Sequence, residues 1–306
     1  MFDRKPRLLL SEAAQLFELD NAARRLTPKT RAFYTWGVRA FVAWCTAEGL
    51  AELAEVTPQT LRRYMVHLQS RKTPAGNPFS STYVHNLTRA LRRFFSYCVE
   101  DELLELTPFR TVRMPRVEKK VLRALSPEDL EAVLRACKSR RDRALVKFLL
   151  DSGVRAAELC GLTVGDVDLQ SGAALVRQGK GQKQRMVYVG VKTRKALRLY
   201  LIDRGRPPPS APLFLTLRRE PMTGNAIMLF FRRLQGRSGV RHLTAHALRR
   251  TFAITCLRNG MDVHSLRLLM GHADLDMLKQ YLDFTEHDLS AAHARYGPLD
   301  GTTKGK

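Results

Sequence analysis

Apolar positions return every three or four residues over long stretches of this chain, the repeat expected of helices buried along one side. Thr27-Pro28 pairs a hydroxyl N-cap with proline at the first helical position. Tyr34, Val38, Phe41 and Cys45 then mark one stripe, which Gly49 brings to an end. Thr57-Pro58 repeats the opening signal, and Leu61, Met65 and Leu68 give the next helix its apolar face. From Ser81 onward, Val84, Leu87, Leu91, Phe94 and Cys98 form a further stripe, with Arg89, Arg92 and Arg93 on other sides of the same turns. Ser126-Pro127-Glu128-Asp129 starts a new helix with acids in its first turn. An apolar helix over 141–150, a break at Gly153 and a helix over about 155–162 follow.

The period then changes. Two short alternating runs, 174–178 and 185–189, flank Gly179-Lys180-Gly181-Gln182-Lys183, which predicts a β-hairpin with a basic turn. The remainder reads as mostly helical, interrupted by Pro207-Pro208-Pro209. The pattern predicts a mainly α protein with a small antiparallel β-sheet. Between the two helical regions the run 110–123 is rich in Arg and Lys, with one acid and no helical apolar period. We therefore expect a helical domain over 1–112, a basic linker over 113–123 and a second domain over 124–306.

Charge narrows the class. The formal net charge is +23 over 306 residues, which suggests a large polyanionic partner. The excess is +9 over residues 1–123 and +14 over 124–306, so it is not a detachable tail. Nucleic acid is the first candidate. A membrane is the rival, but no apolar run approaches the roughly 18 residues needed to span one, and Leu8-Leu9-Leu10 is too short for the apolar region of a signal peptide. A cytoplasmic protein is expected. Cys45, Cys98, Cys137, Cys160 and Cys256 are widely spaced, without a Cys-x-x-Cys pair, and read as reduced core thiols. No ligand set for a metal and no cofactor motif stands out.

Candidate chemistry lies in the second domain, in features that are ordinary one at a time. Arg155 follows the Gly153 break, with Glu158 three residues on and on the same face: either a surface ion pair or an arginine held by a carboxylate and aimed at a phosphate. Lys180 sits between two glycines, either an exposed turn lysine or a mobile donor to a leaving oxygen. His246 and Arg249 stand at i and i+3, so one helical face presents an imidazole and a guanidinium. Leu269-Met270-Gly271-His272 ends a helix, and Tyr281 follows His272 among apolar neighbours.

As an ordered set these residues resemble the tyrosine recombinase, or phage integrase, family. The resemblance rests on Ser-Gly-Val-Arg-Ala-Ala-Glu-Leu, Gly-Lys-Gly-Gln-Lys-Gln-Arg, His-Ala-Leu-Arg-Arg-Thr-Phe-Ala, and Met-Gly-His followed by a tyrosine. It covers the second domain closely; the first resembles the family's core-binding domain in size, helicity and charge. Asp276-Met277-Leu278-Lys279-Gln280-Tyr281 lacks the threonine pair that many relatives carry before the nucleophile.

The resemblance implies a site-specific DNA recombinase, of a simple two-domain type, that works without a cofactor. Tyr281 would be the nucleophile, Arg155 and Arg249 the phosphate clamp, His246 the proton acceptor or orienting group, and His272 a donor to the phosphate. Glu158 would orient Arg155, and Lys180 would protonate the leaving 5′ oxygen. The partner implied is double-stranded DNA with attachment-like repeats, held by four protomers, with a free chain able to exist as a monomer. DNA contacts are expected from Arg89, Arg92 and Arg93, from Arg113, Arg116, Lys119 and Lys120 in the linker, and from Lys183 and Arg185 at the hairpin. Two other readings remain open at this stage: a type IB topoisomerase, and a non-catalytic DNA-binding regulator on the same scaffold.

Overall fold

The computed structural model describes residues 8–117, 124–177 and 184–271, together with 290, 293 and 294. The chain divides into two compact units, Met1–Val121 and Leu122–Lys306.

The first unit is helical: α1 (Leu10–Ala23), α2 (Pro28–Ala47), α3 (Pro58–Ser70) and α4 (Ser81–Glu100). Three of these helices begin on a hydroxyl cap, because the side-chain oxygen satisfies a backbone N–H that has no partner in the first turn. Thr27 accepts from the Thr30 N–H, Thr57 from Thr60 and Ser80 from Tyr83, each at 3.2 Å. The predicted stripes supply the core: Val38, Phe41, Cys45, Leu61, Leu68, Val84, Leu87, Leu91, Phe94 and Cys98 are all buried. Tyr34 and Met65 pack at its margin.

Helix α1 has no such sequence signal. Its N-cap is Leu9, whose N–H is satisfied by the Glu12 carboxylate at 2.9 Å instead of by a hydroxyl. The face it buries, Leu10, Ala13, Ala14 and Phe17, is half alanine, while Leu16 and Leu19 are exposed. Apolar residues on both sides blur the periodic contrast that would announce an amphipathic helix.

The second unit begins its described part with α5 (Pro127–Ala136), where Ser126 and Asp129 cap each other reciprocally. It continues with α6 (Arg140–Ser152) and the short α7 (Ala156–Cys160). Strands β1 (Ala173–Val176) and β2 (Arg185–Tyr188) pair antiparallel, with Ala173 opposite Tyr188 and Val176 opposite Arg185. The fold is thus mainly α with a small antiparallel sheet. Four helices complete it: α8 (Val191–Asp203), α9 (Gly224–Ser238), α10 (Ala245–Arg258) and α11 (Val263–Met270). Leu145, Phe148, Leu149, Leu197, Phe214, Phe230 and Leu248 are among the side chains of a single large core, and α6 lies within it against α8 and α10. Among the described residues no helix is long and apolar enough to cross a membrane. All five cysteines are free thiols, three of them buried.

Candidate active site

Gly153 ends α6 in the left-handed region, at φ +62°. A side chain there would be strained, and its Cβ would lie 2.3 Å from Cδ1 of Phe252. This sharp turn puts Arg155 immediately before α7, where its own N–H is left over from the helix. Glu158, in the first turn of α7, accepts that N–H on Oε2 at 2.8 Å and the Arg155 guanidinium on Oε1 at 2.7 Å. The ion pair read from the i, i+3 spacing is present, and the Glu158 side chain is 3% exposed.

His246 and Arg249 both lie on α10, whose first turn Thr244 caps by accepting the Ala247 N–H at 3.0 Å. They meet different surroundings. His246 is open to solvent on one side. Arg249 is buried and donates to the carbonyl of Gly153 and, at 2.6 Å, to that of Met270. The turn that displays Arg155 is therefore tied directly to Arg249.

The end of α11 draws these groups together. Three successive carbonyls at its C-terminus each accept from a different arginine: Leu269 from Arg185 Nε at 2.8 Å, Met270 from Arg249 Nη2 at 2.6 Å, and Gly271 from Arg155 Nη2 at 3.1 Å. Carbonyls at a helix C-terminus lack intrahelical partners and carry partial negative charge, so guanidiniums are the natural caps. Two of the three, Arg155 and Arg185, also share the Glu158 carboxylate, so guanidinium charge is concentrated around it.

This charge sets the titration of its neighbours. Burial by itself pushes the Glu158 carboxyl up. The hydrogen bond from Arg185, the Arg155 N–H, the Arg185 charge and the Arg155 guanidinium outweigh burial and hold the carboxyl down at about 2. The His246 imidazole is held below its ordinary range by loss of solvent and by the charges of Arg250, Arg249 and Arg155.

Arg185 departs from the expectation of a DNA contact. All three nitrogens of its guanidinium are used inside the protein, on both oxygens of Glu158 and on Leu269. Burial between β2 and α11 explains the difference: a guanidinium removed from water needs a carboxylate. Among the other arginines expected on DNA, Arg93 pairs with Glu100 at 2.8 Å, and Arg89 sits over the Phe33 ring with 5.9 Å to its centroid. Arg92, Arg113 and Arg116 are exposed. Lys119, Lys120, Lys180, Lys183, His272 and Tyr281 lie outside the described residues.

Among the described residues no group of three or more His, Cys, Asp or Glu side chains is arranged to hold a metal ion. The sequence pattern of the phage integrase family matches residues 123–287, an interval that contains Arg155, Lys180, His246, Arg249, His272 and Tyr281. The chain belongs to the phage integrase family, as a tyrosine-type site-specific recombinase. Tyrosine recombinase XerC 2 of Ralstonia nicotianae is 32% identical, over 84% of this chain and 77% of the relative. Tyrosine recombinase XerD of Pseudomonas aeruginosa is 31% identical, over 89% of this chain and 92% of the relative. Among solved structures, a Tn1549 transposon integrase in complex with circular intermediate DNA superposes with a TM-score of 0.76 at 20% identity, covering 92% of this chain and 99% of that one. A lambda integrase tetramer bound to a Holliday junction superposes at 0.70 with 18% identity, covering 90% and 78%. These two likenesses are of fold.

Proposed function

We propose that this recombinase cleaves and rejoins duplex DNA through a 3′-phosphotyrosyl intermediate on Tyr281. The phenol oxygen attacks the scissile phosphorus, a bond from phosphorus to Tyr281 forms, and the bond to the 5′ oxygen breaks. His246 takes the phenolic proton, and Lys180 gives one to the departing 5′ oxygen. Attack by the 5′ hydroxyl of a partner strand reverses the steps and completes exchange, with the phosphodiester bond energy conserved in the covalent intermediate.

Arg155 and Arg249 bind the non-bridging oxygens, where comparable arginines in phosphoryl transfer contribute on the order of 10³ to 10⁵ in rate. His272 donates to the same phosphate, and Glu158 orients Arg155. The observation that carries this reading is the convergence of Arg155 and Arg249, two guanidinium charges, on adjacent carbonyls at the end of α11. A phenol ordinarily titrates near pH 10, so attack at neutral pH needs such charge.

The partner is double-stranded DNA carrying attachment-like repeats, held by a tetramer that assembles on it from monomers, in the cytoplasm. The likeness to DNA-bound integrases, one of them a tetramer on a Holliday junction, supports this. The domain over 1–112, with Arg89, Arg92 and Arg93, would bind the duplex together with the catalytic domain over 124–306, with the linker's Arg113, Arg116, Lys119 and Lys120 and the hairpin's Lys183 adding phosphate contacts.

A nicked suicide duplex tests the chemistry. Wild-type chain should form an adduct that survives denaturant, and Tyr281→Phe should bind the duplex without forming one. An adduct from Tyr281→Phe would mean that another residue is the nucleophile.

A further inference from the structure

Glu158 lies between two guanidiniums. Its Oε1 accepts from Arg155 Nη1 at 2.7 Å and from Arg185 Nη1 at 2.9 Å; its Oε2 accepts from the Arg155 N–H at 2.8 Å and from Arg185 Nη2 at 2.7 Å. A carboxylate has about four acceptor positions, and all are occupied. Half come from Arg155, the residue to be positioned, and half from Arg185, which lies 27 residues along the chain on another element.

The third nitrogen of Arg185 reaches elsewhere. Its Nε donates to the Leu269 carbonyl at 2.8 Å. The side chain is only 10% exposed, so this planar fork joins β2, α7 and the end of α11 in one buried contact. Gly271 records the same packing from the other side. It is left-handed at φ +61°, and a Cβ there would lie 2.9 Å from Cδ and Nε of Arg185 and 3.0 Å from Cζ. The chain passes so closely over the guanidinium that no side chain fits between them. An ammonium at position 185 would be a point charge, unable to span both carboxylate oxygens and a carbonyl in one plane.

We propose that Arg185 is a positioning residue for strand cleavage: it holds the Glu158 carboxylate and the C-terminus of α11 in register, so that Arg155 is presented to the scissile phosphate. The role rests on the phosphate-clamp reading of Arg155 given above. It sets Arg185 apart from the phosphate-contacting lysines and arginines of the hairpin and linker. A guanidinium bound on all three nitrogens inside the protein contributes geometry to the reaction and no ion pair to DNA.

The experiment uses the full chain with two probes. Salt-dependent affinity is measured on a random-sequence duplex. Single-turnover adduct formation is measured at saturating concentrations of a nicked duplex, selected from a randomised pool by its capture in the wild-type adduct. For Arg185→Gln and Arg185→Lys we expect unchanged affinity, an unchanged salt slope, and an adduct rate lowered by on the order of 10- to 100-fold, the size associated with misplacing a catalytic group by about an ångström. A merely structural role would reduce the amplitude of the burst, as fewer molecules are folded, and leave its rate constant alone. The Glu158→Gln/Arg185→Gln double variant should lose less than the product of the single losses, since both act through Arg155.

The contrary result is a wild-type rate constant at saturating DNA, with weaker binding and a salt slope shallower by about 0.9, the signature of one lost phosphate contact. That would overturn the positioning role while leaving the Tyr281 chemistry in place. A wild-type chain that forms no adduct would overturn the cleavage reading and this role together. Gly271→Ala keeps every charge and brings a Cβ against Cδ, Nε and Cζ of Arg185. This variant carries the test where the Arg185 variants do not fold: a lowered rate constant with unchanged affinity supports the role, and an unchanged rate constant overturns it.

Discussion

Glu158 holds Arg155 at two points, accepting its backbone N–H at 2.8 Å and its guanidinium at 2.7 Å, so one carboxylate fixes both the start of α7 and the direction of the side chain that precedes it. The carboxylate is buried and titrates at about 2. Its folded-state pKa is depressed, so the stability it supplies is present above the ordinary glutamate range and is lost as pH falls toward 2. From the shift, ionised Glu158 contributes on the order of 3 kcal/mol relative to its protonated form. Unfolding measured by circular dichroism between pH 6 and 3 should show a steeper loss of stability for wild type than for Glu158→Gln. Parallel curves would show that Glu158 is not the group responsible.

His246 titrates in the same direction for a different reason: partial burial and three neighbouring guanidiniums disfavour its charged form. In the proposed role of proton acceptor it must be neutral, and the depressed pKa favours that form at neutral pH. The acid limb of adduct formation should therefore lie below the ordinary histidine pKa of about 6.5. Neutralising one surrounding charge, as in Arg250→Gln, should move that limb toward higher pH. A limb that stays in place on this substitution would argue that another group sets it.

Gly153 is both a turn and a support. Gly153→Ala would meet Phe252 at 2.3 Å and force a side chain into the left-handed region. A loss of about 1 to 2 kcal/mol is expected from the conformation alone, and the clash adds to it. Because the Gly153 carbonyl accepts from Arg249, the protein that does fold should cleave slowly. Thermal unfolding and the single-turnover rate check the two halves separately; a variant that melts early but cleaves at the wild-type rate would show that the turn serves stability only.

The two units have separate hydrophobic cores. A fragment beginning near Leu122 should fold and bind DNA with a shallower salt slope than the full chain, which loses about 0.9 in log K per phosphate contact for each tenfold rise in salt. It should also discriminate poorly between specific and random duplexes. Matching slopes and preferences would return Arg89, Arg92 and Arg93 to the role of a solvated face.

What the sequence determined by itself was local. Thr27, Thr57 and Ser126 announce helix starts because capping is settled within one turn. The stripes through Phe41 and Phe94 announce buried faces because a helix repeats every 3.6 residues. The Arg155–Glu158 pair and the spacing of His246 and Arg249 were legible on the same grounds, each lying within a single turn. Helix α1 was not, since Leu9 offers no hydroxyl and alanines fill half of its buried face.

The tertiary structure alone decided how these pieces meet. Nothing in the pattern distinguishes Arg185 from the basic residues before it in the hairpin. Its role depends on Glu158 and on Leu269, 27 and 84 residues away. The same holds for the tie from Arg249 to Gly153, across 96 residues, and for the three consecutive carbonyls of α11. An apolar stripe says which side of a helix turns inward and is silent about what it will face. Which guanidinium finds a carboxylate, and which finds water or DNA, is settled only when helices and strands pack and the groups removed from water must satisfy one another.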